Sequence, residues 1–267
     1  RPGGVSVILI NGSPLDVSLI AGEYPENSVQ RRVLEQMSIS PEKYRYGDTD
    51  QLRFELDMRN EIVNAARALS RSGLRFAVFR RSAVNPDYWD RTDNGGFRLK
   101  RGVKASEAIK DIYKNGQKYA TECATAMVIV YYGAILRMLP EETFNSFFRS
   151  VYLMNWHRLD PLLREVGTPA RAADIMPGDR GYFRNPDVDP ETPELQGENV
   201  IVLPRGVFYG HGIGIATSGS IIRFLNENRR EGAERSAYFM DTAARPDFMK
   251  LYGTFRNTGE RAAARSA

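Results

Sequence analysis

One thiol serves the whole chain: Cys123, in Tyr119-Ala-Thr-Glu-Cys-Ala-Thr-Ala-Met-Val-Ile-Val, where a polar lead gives way to an apolar run. A lone cysteine has no partner for an internal disulfide, so it is either a buried spectator or a nucleophile. Thr121 reads as a helix N-cap, placing Cys123 in the first turn, where free N–H groups and the helix dipole favour a thiolate. A thiol nucleophile needs a base and a group to orient that base. The chain has two histidines. His211 stands in Tyr209-Gly-His-Gly-Ile-Gly, where flanking glycines remove bulk and let another segment approach; core packing explains it poorly. His157, in Asn155-Trp-His-Arg, has polar neighbours and reads as a surface histidine.

Glu198 heads the apolar run Gly197-Glu-Asn-Val-Ile-Val. Taken alone, a carboxylate at a strand end reads as solvated. A hairpin turning near Gly206 would put Glu198 and His211 on neighbouring strands, both facing a thiol on a packed helix. Glu122 adjoins the thiol, although successive helical residues point about 100° apart.

The elements that must hold these residues follow from pattern. Val5 to Ile10 reads as a strand, and irregular polar sequence follows to about Gly47. From Asp48 or Thr49, an apolar stripe of Leu52, Leu56, Ile62, Val63, Ala66 and Leu69 predicts a long helix stopped at Ser72-Gly73. Arg75 to Phe79 is a strand, and Asp93-Asn-Gly-Gly marks a hairpin. Lys104 to Asn115 is a helix, Thr121 to Leu139 an all-round apolar helix at the centre of the fold, and Pro140-Glu-Glu opens another. Strands are expected at Val151–Met154, Gly181–Arg184, Glu198–Leu203 and Val207–Tyr209, with Pro204-Arg-Gly joining the last two, and a helix at Ile221–Asn228. Beyond about Thr254 apolar content falls off and a basic, disordered tail is expected. The economical reading is one α+β domain over residues 1–267, ordered from about 5 to 253, with a helix on an antiparallel sheet.

Composition bounds the function. A chain of 267 residues, 42% hydrophobic and 26% charged, buries enough surface to need no staple. Its net charge of +4, from 37 basic against 33 acidic residues, is spread out, which suits an acidic protein partner and gives no nucleic-acid footprint. The longest nearly apolar stretch, Ala124 to Leu136, is too short to span a membrane. The chain opens at Arg1 without an initiator Met, as a processed or excerpted chain does, and a reduced thiol fits an intracellular origin. Asp187, Asp189, Glu191 and Glu198 touch a calcium-loop spacing, but Thr192 stands where glycine is required and prolines interrupt it. No dinucleotide fingerprint, P-loop or zinc set is present.

Together, Phe54–Ala66, Tyr119–Tyr132, Gly197–Leu203 and Tyr209–Ile215 resemble the spore-coat protein-glutamine gamma-glutamyltransferases (transglutaminases) of Bacillus and relatives. Weaker echoes lie at Tyr88-Trp89, Asn155–His157, Tyr182–Pro186 and Ser236–Tyr238. The likeness runs in the family's order over roughly residues 5 to 245. It implies a compact relative of the NlpC/P60 (papain-like) cysteine peptidase fold. It also implies that Cys123 is the catalytic cysteine, Glu198 its acid/base, His211 the next polar position, Glu122 a glutamate able to support the thiol, and Trp156 an aromatic wall of a substrate tunnel. The chain departs at Leu195, where the family carries tryptophan. The implied activity cross-links protein glutamine to protein lysine through a thioester, without metal or organic cofactor. The implied location is the spore coat or the mother-cell cytoplasm. A hydrolase of the same fold and a non-catalytic coat scaffold are the alternatives.

Overall fold

The computed structural model describes residues 8–266. Its centre is the helix Cys123–Met138, in which every residue from Ala124 to Ile135 is buried. An apolar surface on all sides requires neighbours on all sides. The helix Thr49–Ser70 packs along one flank and the strand Gly197–Val202 along another. The long helix forms as its stripe predicts: Asp48 caps it by accepting from the Gln51 N–H at 2.8 Å, and Leu52, Leu56, Ile62, Val63, Ala66 and Leu69 are buried.

Among the described residues a five-stranded antiparallel sheet runs in the spatial order Gly214–Thr217, Val207–Gly210, Gly197–Val202, Arg180–Arg184, Tyr238–Phe239. Register sets Tyr182 opposite Asn199, Phe183 opposite Glu198, and Val200 opposite Gly210. The Pro204–Gly206 turn closes the expected hairpin, with Arg205 and Gly206 both at positive φ (66° and 70°). A buried ion-pair cluster ties the sheet to the long helix. Arg59 bonds Glu55 at 2.9 Å and Asp179 at 2.8 Å, just before the Arg180 strand.

Several boundaries move. The strand at Arg75 stops at Phe76, and Phe79–Arg81 is a 3-10 turn. The helix near Ile221 spans Ser218–Asn226, capped by Thr217. Residues 5–7 of the first expected strand lie outside the described residues, and Ile8–Ile10 is a strand. The polar segment before Gly47 contains the helix Val29–Ile39, capped by Ser28, with Val29, Val33, Leu34 and Met37 buried. The expected disordered tail is instead the end of the helix Phe248–Ser266. Phe255 anchors that helix, its ring 6.0 Å from Phe54 and 5.4 Å from Phe147. Among the described residues no helix is long and apolar enough to cross a membrane.

Candidate active site

The cap of the central helix is Glu122 and not Thr121. Its carboxylate accepts from the Ala124 and Thr125 N–H groups, both at 2.6 Å, and from Thr125 Oγ1 at 2.5 Å. Thr121 is unavailable as a cap because it lies in the short strand Ala120–Thr121, paired in parallel with Arg75–Phe76. Cys123 is therefore the first helical residue, and the thiol keeps its first-turn position.

The electrostatics run against the helix dipole. Burial pushes the Cys123 thiol up to about 12, helped by the charges of Glu198 and Glu122, while Asn199 pulls the other way. Burial and the two carboxylates thus oppose the thiolate that the helix start favours. The residue as a whole retains partial exposure.

Glu198 is buried, and burial followed by the charge of Glu122 raises its carboxyl well above the ordinary range; the backbone N–H of His211 acts in the opposite sense. Its Oε1 has no hydrogen-bond partner. The flanking glycines explain how it fits. A Cβ on Gly210 would stand 2.9 Å from Glu198 Oε1, and one on Gly197 would collide with the Tyr182 ring. The hydrogen bond to the sulfur comes from the next residue: Asn199 Nδ2 donates to Cys123 Sγ at 3.6 Å.

His211 is also buried, but its ring is engaged elsewhere. Nε2 lies 3.1 Å from the carbonyls of both Arg75 and Thr121, and Nδ1 lies 3.5 Å from the Tyr209 hydroxyl. Two carbonyl acceptors require the proton on Nε2, and burial lowers the pKa to about 4, so the ring is neutral. It clamps the sheet to the short strands that lead into Cys123. His157 is exposed, as its polar neighbours predict.

Trp156 carries the Arg180 guanidinium over its ring at 4.2 Å. Its loop is tied to the thiol's helix, because the Asn155 N–H donates to Thr125 Oγ1 at 2.7 Å and that hydroxyl donates to Glu122. Cap, tryptophan loop and cysteine thus form one connected unit. Leu195 ends the turn Pro193–Leu195 and is half-buried.

The structure adds Asn199, Arg180 and Tyr182 to the surroundings of Cys123, and Phe76 to those of His211, its ring centroid 6.1 Å from the imidazole. Glycine-flanked His211 points to a close approach by another segment, and Phe76 is the segment that approaches. Asn199 had no such signal beyond its place beside Glu198. Asp187 of the calcium-like spacing is bound by Arg235 and Arg230. Among the described residues no group of three or more His, Cys, Asp and Glu is placed to hold a metal ion.

A partly exposed cysteine at a helix start, with a buried acid and a carboxamide from one neighbouring strand, is equipment for thiol-dependent acyl chemistry. The chain is matched over residues 7–255 by the family described as protein-glutamine gamma-glutamyltransferase. A protein-glutamine gamma-glutamyltransferase of Bacillus cereus is 42% identical over 241 residues, covering 90% of this chain and 86% of that protein. One from Halalkalibacterium halodurans is 42% identical over 217 residues, covering 81% and 75%. Among solved structures, the transglutaminase from Geobacillus stearothermophilus without its C-terminal extension aligns with a TM-score of 0.72 at 44% identity, covering 76% of this chain and 96% of that one. The chain belongs to the protein-glutamine gamma-glutamyltransferase family, and its α+β architecture is that of a bacterial transglutaminase.

Proposed function

We propose that Cys123 is the nucleophile of glutamine-to-lysine acyl transfer and that Glu198 carries its protons. The observation behind this is the placement of a partly exposed cysteine as the first residue of a buried helix, its thiol electrostatically linked to a buried carboxyl from the adjoining strand. The thiol proton passes to Glu198 as sulfur attacks the carboxamide carbon of a protein glutamine. Glu198 returns a proton to the departing ammonia, leaving a thioester. A protein lysine amine then attacks, gives its proton to Glu198, and releases Cys123 with an isopeptide bond formed. A carboxyl whose pKa burial raises well above the ordinary carboxylate range suits alternating acid and base work.

Glu122 already binds the Ala124 and Thr125 N–H groups, so they are not available to an oxyanion. The Cys123 N–H and the Asn199 carboxamide beside the sulfur fill that role in this reading. His211 acts by clamping strands, and Trp156 walls the approach to the sulfur, where exclusion of water favours amine over hydrolysis. The helix-on-sheet core fits the NlpC/P60-like arrangement within one domain. The partners are a glutamine-donor and a lysine-acceptor protein, and the setting inherited from the family is the spore coat.

The test is incubation with a glutamine-containing protein and a labelled primary amine, following ammonia and covalent label together. Wild-type protein releases ammonia and incorporates label, while Cys123→Ala does neither and remains folded. Ammonia without label would make the chain a deamidase, and full labelling by Cys123→Ala would end the proposal.

A further inference from the structure

Among the described residues two arginines are buried, and only one is neutralised. Arg59 lies between the carboxylates of Glu55 and Asp179. Arg180 is 4% exposed, yet forms no ion pair with any Asp or Glu among the described residues. Its Nε donates to the Val166 carbonyl at 2.9 Å, its Nη1 donates to Asn199 Oδ1 at 2.8 Å, and its Nη2 is buried without a partner. The Trp156 ring covers one face of the guanidinium. A buried cation without an anion is costly, and an aromatic face repays only part of that cost.

The missing anion is identified by what Asn199 touches at its other end. The same carboxamide that accepts from Arg180 through Oδ1 donates through Nδ2 to Cys123 Sγ at 3.6 Å. Loss of the thiol proton would place a negative charge one side chain away from the unpaired cation. Burial lowers the pKa of Arg180, while Tyr131 and Cys123 favour its charged form.

Building on the reading of Cys123 as nucleophile, we propose that Arg180 is a positioning residue that stabilises the Cys123 thiolate through the Asn199 carboxamide. The Arg180–Asn199 pair supplies the positive potential that the helix start does not provide on its own. It also fixes the carboxamide with its N–H side toward sulfur, because Arg180 can only donate and so must face Oδ1. The opposing charges come from every side: Glu122 on the helix, and Glu198 from the Gly197–Val202 strand. Tyr182, two residues beyond Arg180 on the same strand, is pushed up to about 12 by burial and carries no charge at neutral pH. His211 from the adjoining strand is neutral. Arg180 is therefore the cation of this group.

The experiment is alkylation of Cys123 by iodoacetamide between pH 7 and 10, since below the thiol pKa the rate follows the thiolate fraction. Arg180→Met should slow alkylation about tenfold at pH 8 and displace the profile upward by about one unit, with Arg180→Lys recovering part of the rate. Asn199→Ala should also slow it, and in the double variant the two effects should add to less than their sum. Circular dichroism and thermal melting establish that each variant is folded. Arg180→Met that folds and alkylates within twofold of wild type at every pH overturns the proposal. If Arg180→Met does not fold, an unchanged rate in Asn199→Ala overturns it equally. Full cross-linking by Cys123→Ala would instead remove the underlying reading of the nucleophile, a separate result.

Discussion

Gly210 faces the Glu198 carboxyl so closely that a Cβ at position 210 would stand 2.9 Å from Oε1 and 3.0 Å from Cγ. The glycine makes room for the acid. Gly210→Ala should force the carboxyl aside and reduce labelled-amine incorporation by about tenfold to a hundredfold, since small misplacements of a reacting group cost that much. Circular dichroism should stay unchanged; full activity would show that the position of Glu198 is not critical.

Glu122 has two effects of opposite sign. As a cap it stabilises the helix, and as a charge it holds the thiol protonated. Glu122→Gln should lower stability by about 1 kcal/mol. It should also raise the iodoacetamide rate at pH 8 by about threefold to tenfold, because removing a neighbouring negative charge lowers the thiol pKa. Slower alkylation in the folded variant would contradict the electrostatic assignment.

His211 links stability to pH. Burial lowers its folded pKa to about 4, below the ordinary histidine value of about 6.5, so the unfolded chain takes up the proton first. The stability tied to the neutral ring is fully present above pH 6.5 and is lost as pH falls toward 4. The loss is about 2–3 kcal/mol by pH 4.5. Urea melts at pH 7 and pH 4.5 should show His211→Gln with a difference smaller than wild type by roughly 2 kcal/mol. Equal differences in the two proteins would show that the ring does not titrate between the folded and unfolded states.

Phe255 tests the C-terminal helix. Its buried ring meets Phe54 and Phe147, so Phe255→Ala should destabilise the protein by about 3–5 kcal/mol in a urea melt. A loss below about 1 kcal/mol would mean that this helix contributes little to the fold.

Pattern exposed the parts of the molecule governed by repetition. The stripe from Leu52 to Leu69 and the all-round apolar run after Cys123 gave both central helices, and Pro204-Arg-Gly gave the hairpin behind Glu198. The helix Val29–Ile39 was hidden because its buried residues are sparse among Gln, Arg and Glu. The last helix was hidden because Phe255 finds its partners far away in sequence. The cap was misread by one residue because propensity favours threonine, while pairing with Phe76 draws Thr121 into a strand. Asn199 was concealed by strand alternation, which sends neighbours to opposite faces; a strand buried on both faces can use both. Arg180 carries no signal in the sequence, because nothing local marks an arginine that burial will leave without a carboxylate.

The burial around the Cys123 sulfur has a consequence for durability. Peroxide attacks the ionised form of sulfur, and this chain holds no second cysteine that could rescue an oxidised one by forming a disulfide. Burial that favours the protonated sulfur therefore also slows its oxidation, at a position that no second thiol of this chain could protect.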